Sequence, residues 1–240
     1  GLSVDTAVDV AREAAGMILL RKDLGVLAEG VREGRRTFAN ILKYIMMGTS
    51  SNFGNMFSMA GGVLLLPYLP MLPIQILLNN LLYDLSEMAI PLDRVDEAMV
   101  ARPRHWDLGV VRRFMFTFGP ISSAFDFMVF GLLLWVFHAD EGLFHTGWFV
   151  ESLATQVLVI FIIRTRNPLR DRPHPLLVAG ALSVVAVAVG LPYSPLAPWL
   201  GFVPLPAPLL AALVLVTTAY LGVVHLANRR FFTRYQRGSR

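Results

Sequence analysis

Basic residues in this chain are confined to alternate gaps between long apolar runs, and that pattern leaves few folds open. Windows of about 19 residues pick out six apolar segments, at 43–66, 73–92, 114–137, 148–164, 175–192 and 207–227. Each is near the roughly 20 residues needed to cross about 30 Å of hydrocarbon, although the fourth and fifth are short. All 21 Lys and Arg residues lie between Arg12 and Lys43 or in segments 93–113, 164–175 and 228–240. The connections 66–73, 138–147 and 192–207 hold none. Alternation of this kind follows the positive-inside rule. It predicts an all-α polytopic helix bundle in a lipid bilayer, multi-pass in the cell membrane, with six transmembrane helices and both termini cytoplasmic.

Composition narrows the function classes. The chain is 55% hydrophobic and 16% charged, with a mean hydropathy of +0.57, far from the soluble globular balance. The pI near 9.8 comes from the basic loops. No basic-aromatic patch accompanies it, so no nucleic acid partner is expected. With no cysteine there is neither a disulfide nor a thiolate metal site. The lead GLSVDTAVDVAREAAGMILL is polar and acidic, without the basic start and short apolar core of a signal peptide. It reads as a helix over about 4–14 and a strand around Met17 to Leu20. Asp23 is then the expected N-cap of a long amphipathic helix, with Leu24, Leu27, Val31, Phe38, Ile41 and Leu42 near helical spacing, running into the first span.

Polar side chains inside the spans carry the functional argument. The first span holds Asn52 and Asn55; the second holds Asn80, Asp84 and Glu87, spaced i, i+4, i+7 on one helical face. A carboxylate at bilayer depth costs at least about 2.5–3.5 kcal/mol, so it faces a polar cavity or pathway. Oxygen-bearing faces on successive spans suit a hard cation better than a soft one. Asp126 in the third span and Gln156 in the fourth are weaker candidates for the same path. Met46, Met47, Met56 and Met59 read as packing, and Ser50, Ser51, Ser58 and Ser86 as bonding to their own helix carbonyls. Tyr83 points off the Asp84 face, which favours packing. Gly54, Gly61 and Gly62 allow close helix approach, and Pro91 ends or kinks the second span. The last two spans are nearly pure Leu, Val and Ala and read as scaffold.

Longer stretches resemble a known family. GLSVDTAVDVAREAAGMILL followed by DLGVLAEGVREGRRTFANILKYI is similar to the end of the phosphorylation domain and the stalk of a P-type ATPase. SSNFGNMFS, LPMLPIQILLNNLLYDLSEMAIPLD and RFMFTFGPISSAFDF resemble the magnesium-transporting group of that superfamily. The resemblance implies three parts: the end of a cytoplasmic phosphorylation domain (1–22), a stalk helix (23–42) and a C-terminal transmembrane domain (43–240). It implies Asn52, Asn55, Asn80 and Asp84 as cation ligands; Glu87, Asp126 and Gln156 are lesser candidates from their positions in the spans. Calcium pumps carry a carboxylate where this chain has Asn55. The family's DKTGT, TGES and GDGxNDxP segments do not occur in the chain, so the segment alone is expected to be inactive. Its partner is then the N-terminal part of the same pump, where ATP is the substrate and Mg²⁺ also serves as the catalytic ion. The whole pump is expected to couple ATP hydrolysis to Mg²⁺ entry into the cytoplasm. A stand-alone cation channel or secondary transporter, or a structural subunit of a split pump, are the alternatives.

Overall fold

The computed structural model of the chain describes residues 1–21, 23–95, 97–101, 103, 106–165 and 171–238. They divide into two compact units, Gly1–Ile41 with Val95–His105, and Leu42–Arg94 with Trp106–Arg240.

In the first unit, strand β1 (Leu2–Val4) pairs in parallel with β2 (Met17–Leu19), and helix α1 (Asp9–Glu13) lies between them in sequence. The expected helix over 4–14 is therefore shorter. Leu2 and Val4 satisfy their backbone groups in the ladder, and parallel pairing needs the intervening segment as a crossover. The Asp23 carboxylate accepts the Gly25 N–H at 2.7 Å, opening the long helix α2 (Leu24–Leu65) as anticipated. The short helix α4 (Glu97–Val100) ends where Arg35 Nη1 donates to the Val100 and Ala101 carbonyls at 3.2 and 3.3 Å.

The second unit is a helix bundle. After the α2 segment it contains α3 (Pro73–Glu87), a 3-10 turn (Ile90–Leu92), and α5 (Leu108–Gly131), which continues as a π turn (Leu132–Val136). There follow α6 (Glu141–Leu158) with its extension α7 (Ile160–Ile163), α8 (Pro175–Gly190), α9 (Ala197–Leu200) and α10 (Ala207–Gly238). Among the described residues, four helical segments are long and apolar enough to cross a membrane: Leu108–Val136, Glu141–Ile163, Pro175–Tyr193 and Ala207–Phe231. The first two expected spans are helical but fall outside that set. Thr49, Ser50, Ser51, Asn52, Asn55 and Ser58 lower the hydropathy of α2, and α3 has only 15 residues. It stops at Glu87 rather than at 92, because Pro91 has no N–H to continue an α-helix and the chain tightens into the 3-10 turn. The fourth span is longer than its apolar core, because Asp140 caps it by accepting the Leu143 N–H at 2.8 Å.

Helix α6 is the axis of the bundle. Every side chain from Phe144 to Val157 is buried, against α3, α5, α8 and α10. Close approach of α2 to its neighbours depends on glycine. A Cβ at Gly61 would lie 2.4 Å from Phe127 Cζ, and one at Gly62 2.4 Å from Pro70 Cγ.

Polar junctions close both ends. At one end, buried Asp93 accepts from Lys43 Nζ at 3.3 Å, from Arg164 Nη1 at 3.0 Å on both oxygens, and from the His174 N–H at 3.3 Å. At the other, Gln75 is fully buried: its Oε1 accepts the Leu72 N–H at 3.2 Å. Its Nε2 donates to the Leu200 and Gly201 carbonyls at 3.0 and 3.2 Å. Gly201 has φ +69°, and a Cβ there would meet Leu72 Cδ1 at 2.5 Å, so only glycine fits this contact.

Candidate cation site

Helices α2 and α3 are joined by the short segment 66–72 and run antiparallel beside α6. Between the three lies a cavity of about 510 Å³. Its polar wall consists of Asn52 and Asn55 from α2, Asn79 and Asn80 from α3, and Ser152 from α6. Met56, Met59, Met71 and Trp148 also line it; Met59 packs against the core as expected, whereas Met56 is exposed. The Ser152 hydroxyl donates to Asn55 Oδ1 at 3.2 Å and receives Gln156 Nε2 at 2.7 Å, so three expected or neighbouring residues form one hydrogen-bonded chain.

Not all expected residues share this wall. Asn80 lines the cavity and is exposed on its open side, as is Asn52; Asp84, one turn on, is exposed on the same flank and does not line it. The inward polar stripe of α3 is instead Gln75, Asn79, Tyr83 and Glu87, four residues apart and all buried. Glu87 sits on the border of the two stripes and turns inward, where Tyr83 OH donates to its Oε1 at 2.5 Å. Tyr83 is thus buried as expected, yet also bonded to a candidate carboxylate. Asn79 escaped the sequence reading, because an Asn-Asn pair surrounded by apolar residues does not reveal which member faces inward. Its Oδ1 is buried without a hydrogen-bond partner.

Asp126 lies outside the cavity. Its oxygens accept from Ser58 Oγ at 2.6 Å and Trp148 Nε1 at 3.0 Å, so Trp148 separates it from the cavity that Trp148 itself lines. Ser58 therefore bonds across to α5, not to its own helix as expected, whereas Ser86 does bond back to the Tyr83 carbonyl at 2.7 Å. Sequence reasoning missed Glu151. It is 1% exposed, lies close to the Asp126 carboxyl, and makes no hydrogen bond within ordinary limits. Its signal was available: it is a charge inside an apolar run, one turn from Trp148. Among the described residues no group of three His, Cys, Asp or Glu side chains is gathered in metal-binding positions. The cavity offers amide and hydroxyl oxygens instead.

Residues 68–230, from the segment after α2 to within α10, match the family described as "Cation transporting ATPase, C-terminus". The chain belongs to that family. It is 48% identical, over 98% of its length, to "Magnesium-transporting ATPase, P-type 1" of Salmonella typhimurium, and equally so to the protein of that name from Escherichia coli. It is 32% identical to a "Calcium-transporting ATPase" of Bacillus subtilis, over 80% of the chain and 23% of that protein. The chain spans 27% of the length of the magnesium-transporting relatives. Family membership fits the mostly helical fold.

Proposed function

We propose that the chain is the membrane part of a P-type Mg²⁺-transporting ATPase, with Asn52, Asn55, Asn80 and Asp84 at its cation site. The observation that carries this reading is the cavity where Asn52, Asn55 and Asn80 meet on two helices of a family member. Mg²⁺ is the transported substrate. It needs octahedral oxygen coordination and keeps several waters, so amide oxygens with one carboxylate are a sufficient set. Asp84 supplies that carboxylate from the open flank of α3. The rest of the pump covers this flank, carries the phosphorylated Asp, and couples ATP hydrolysis to Mg²⁺ entry. In this reading α2 and α3 are the first two of six spans, their polarity tolerated because it lines a pathway. Both termini are cytoplasmic, residues 1–22 close the phosphorylation domain, and 23–42 form the stalk.

The test is made in the full-length pump. Asp84→Asn keeps the shape of the side chain and removes its charge. It is expected to raise the Mg²⁺ concentration for half-maximal ATPase activity by about tenfold or more, and to abolish growth of a transport-deficient host at limiting Mg²⁺. Normal growth with Asp84→Asn, Asn52→Ala and Asn55→Ala, each at normal expression, would place the site elsewhere.

A further inference from the structure

Buried polar atoms in folded proteins are almost always paired. Four side-chain oxygens on the faces where α2, α3 and α6 meet have no partner within ordinary hydrogen-bond limits: Asn79 Oδ1, Gln156 Oε1, Glu87 Oε2 and Ser51 Oγ, the last keeping only a loose contact with Tyr83. Asn79, Gln156 and Glu87 are 3%, 4% and 3% exposed. They form an order in depth. The Ser152–Asn55 bond, with Asn79 on the same cavity, fixes one level of the three helices. One turn further, about 5.4 Å, toward the end that holds Lys43, Asp93 and Arg164, the matching positions are Ser51, Tyr83 and Gln156. Register supports this, since α2 runs opposite to α3 and α6. Tyr83 OH lies beside Ser51 and donates to Glu87, which stands one turn deeper still. Each unpaired atom accepts hydrogen bonds or coordinates cations, and the strongest acceptor, a carboxylate, is last.

Building on the reading of the cavity as a Mg²⁺ site, we infer that Ser51, Gln156 and Glu87 form a second station for the hydrated divalent cation, between the cavity and the basic end of the bundle. Asn79 is the shared wall. It lines the cavity, and the seam begins on its own helix face. Water retained by Mg²⁺ donates to Asn79, Ser51 and Gln156, while Glu87 offsets the charge. This assigns passage to the inward stripe of α3 and loading to the outward stripe of Asn80 and Asp84.

The division predicts different kinetic signatures in the reconstituted full-length pump. Removing a loading ligand, as in Asp84→Asn, raises the Mg²⁺ concentration for half-maximal ATPase activity. Glu87→Gln is expected to lower turnover at saturating Mg²⁺ by about tenfold while leaving that concentration within about twofold. Ser51→Ala separates function from packing. It deletes a buried oxygen that keeps only a loose contact with Tyr83, so thermal stability is expected to change little while turnover falls severalfold. A structural serine gives the reverse, lower stability with unchanged turnover, and that result would overturn the second station. So would wild-type turnover in both variants, or a Glu87→Gln variant whose only change is weaker Mg²⁺ dependence. Should Glu87→Gln not assemble, Ser51→Ala alone decides in the same way. Absence of Mg²⁺ transport by the wild-type pump would instead defeat the reading of the cavity itself.

Discussion

Asp126 shows how one side chain ties three helices. It sits on α5, receives a hydroxyl from Ser58 on α2 and an indole N–H from Trp148 on α6. Asp126→Ala leaves both donors buried and unpaired and opens a void. It is expected to cost about 2–4 kcal/mol, measured as a lowered unfolding temperature of the purified full-length pump. Asp126→Asn keeps an acceptor oxygen and is expected to lose less. At this scale the sequence was only partly legible. Asn52, Asn55 and Asn80 could be read as a group, since amides on successive apolar segments either bond across helices or line a shared polar space. The phase of α3 could not: Asn79 and Asn80 differ by about 100° around the helix, and apolar residues surround both faces. Glu151 was legible by the reasoning applied to Asp126. Its partner position, however, depends on how α5 and α6 pack, which neighbours in sequence do not encode.

Elements are joined at the basic end by Asp93. Its carboxylate holds Lys43 of α2, Arg164 just after α7, and the backbone of His174 at the start of α8. Arg164 also donates to the Asp171 carbonyl. Removing the carboxylate that Lys43 and Arg164 share strands both buried cations, at about 3–5 kcal/mol. Asp93→Ala is therefore expected to lower the unfolding temperature and the yield of assembled pump more than Asp93→Asn. An Asp93→Ala pump as heat-stable as wild type would show that the network contributes nothing. Hydropathy placed the ends of α3 and α6 within several residues of the truth but gave no hint of this junction. Asp93 lies in a loop by sequence and is buried only because three distant segments converge on it.

For the molecule as a whole, sorting of Lys and Arg in the sequence makes a claim about sidedness that the bundle alone does not. Reporter fusions after Asp140 and after Pro195 are expected outside the cell, and fusions after Pro103 and Arg172 in the cytoplasm. A cytoplasmic reporter at either of the first two positions refutes the six-span arrangement. The helical character of the fourth apolar segment follows from its length and hydropathy, but its central place does not: it is 78% buried, whereas the more apolar Pro175–Tyr193 and Ala207–Phe231 are each 28% buried. α2 and α3 do not register as ordinary spans because polar side chains lower the hydropathy of α2 and α3 has only 15 residues.

Gln75 gives this arrangement a mechanical consequence. By gripping the Leu72 N–H and the Leu200 and Gly201 carbonyls together, it clamps the proline end of α3 to the loop after α9. The helix is then pinned at Gln75, and a tilt about that point would move the end toward the 3-10 turn at Ile90–Leu92 most. Displacement of a rigid beam grows with distance from its anchor. At 1.5 Å rise per residue, a tilt about Gln75 carries Glu87 about three times as far as Asn79. A small rotation at the clamp leaves the cavity wall nearly still while sweeping the carboxylate at the far tip.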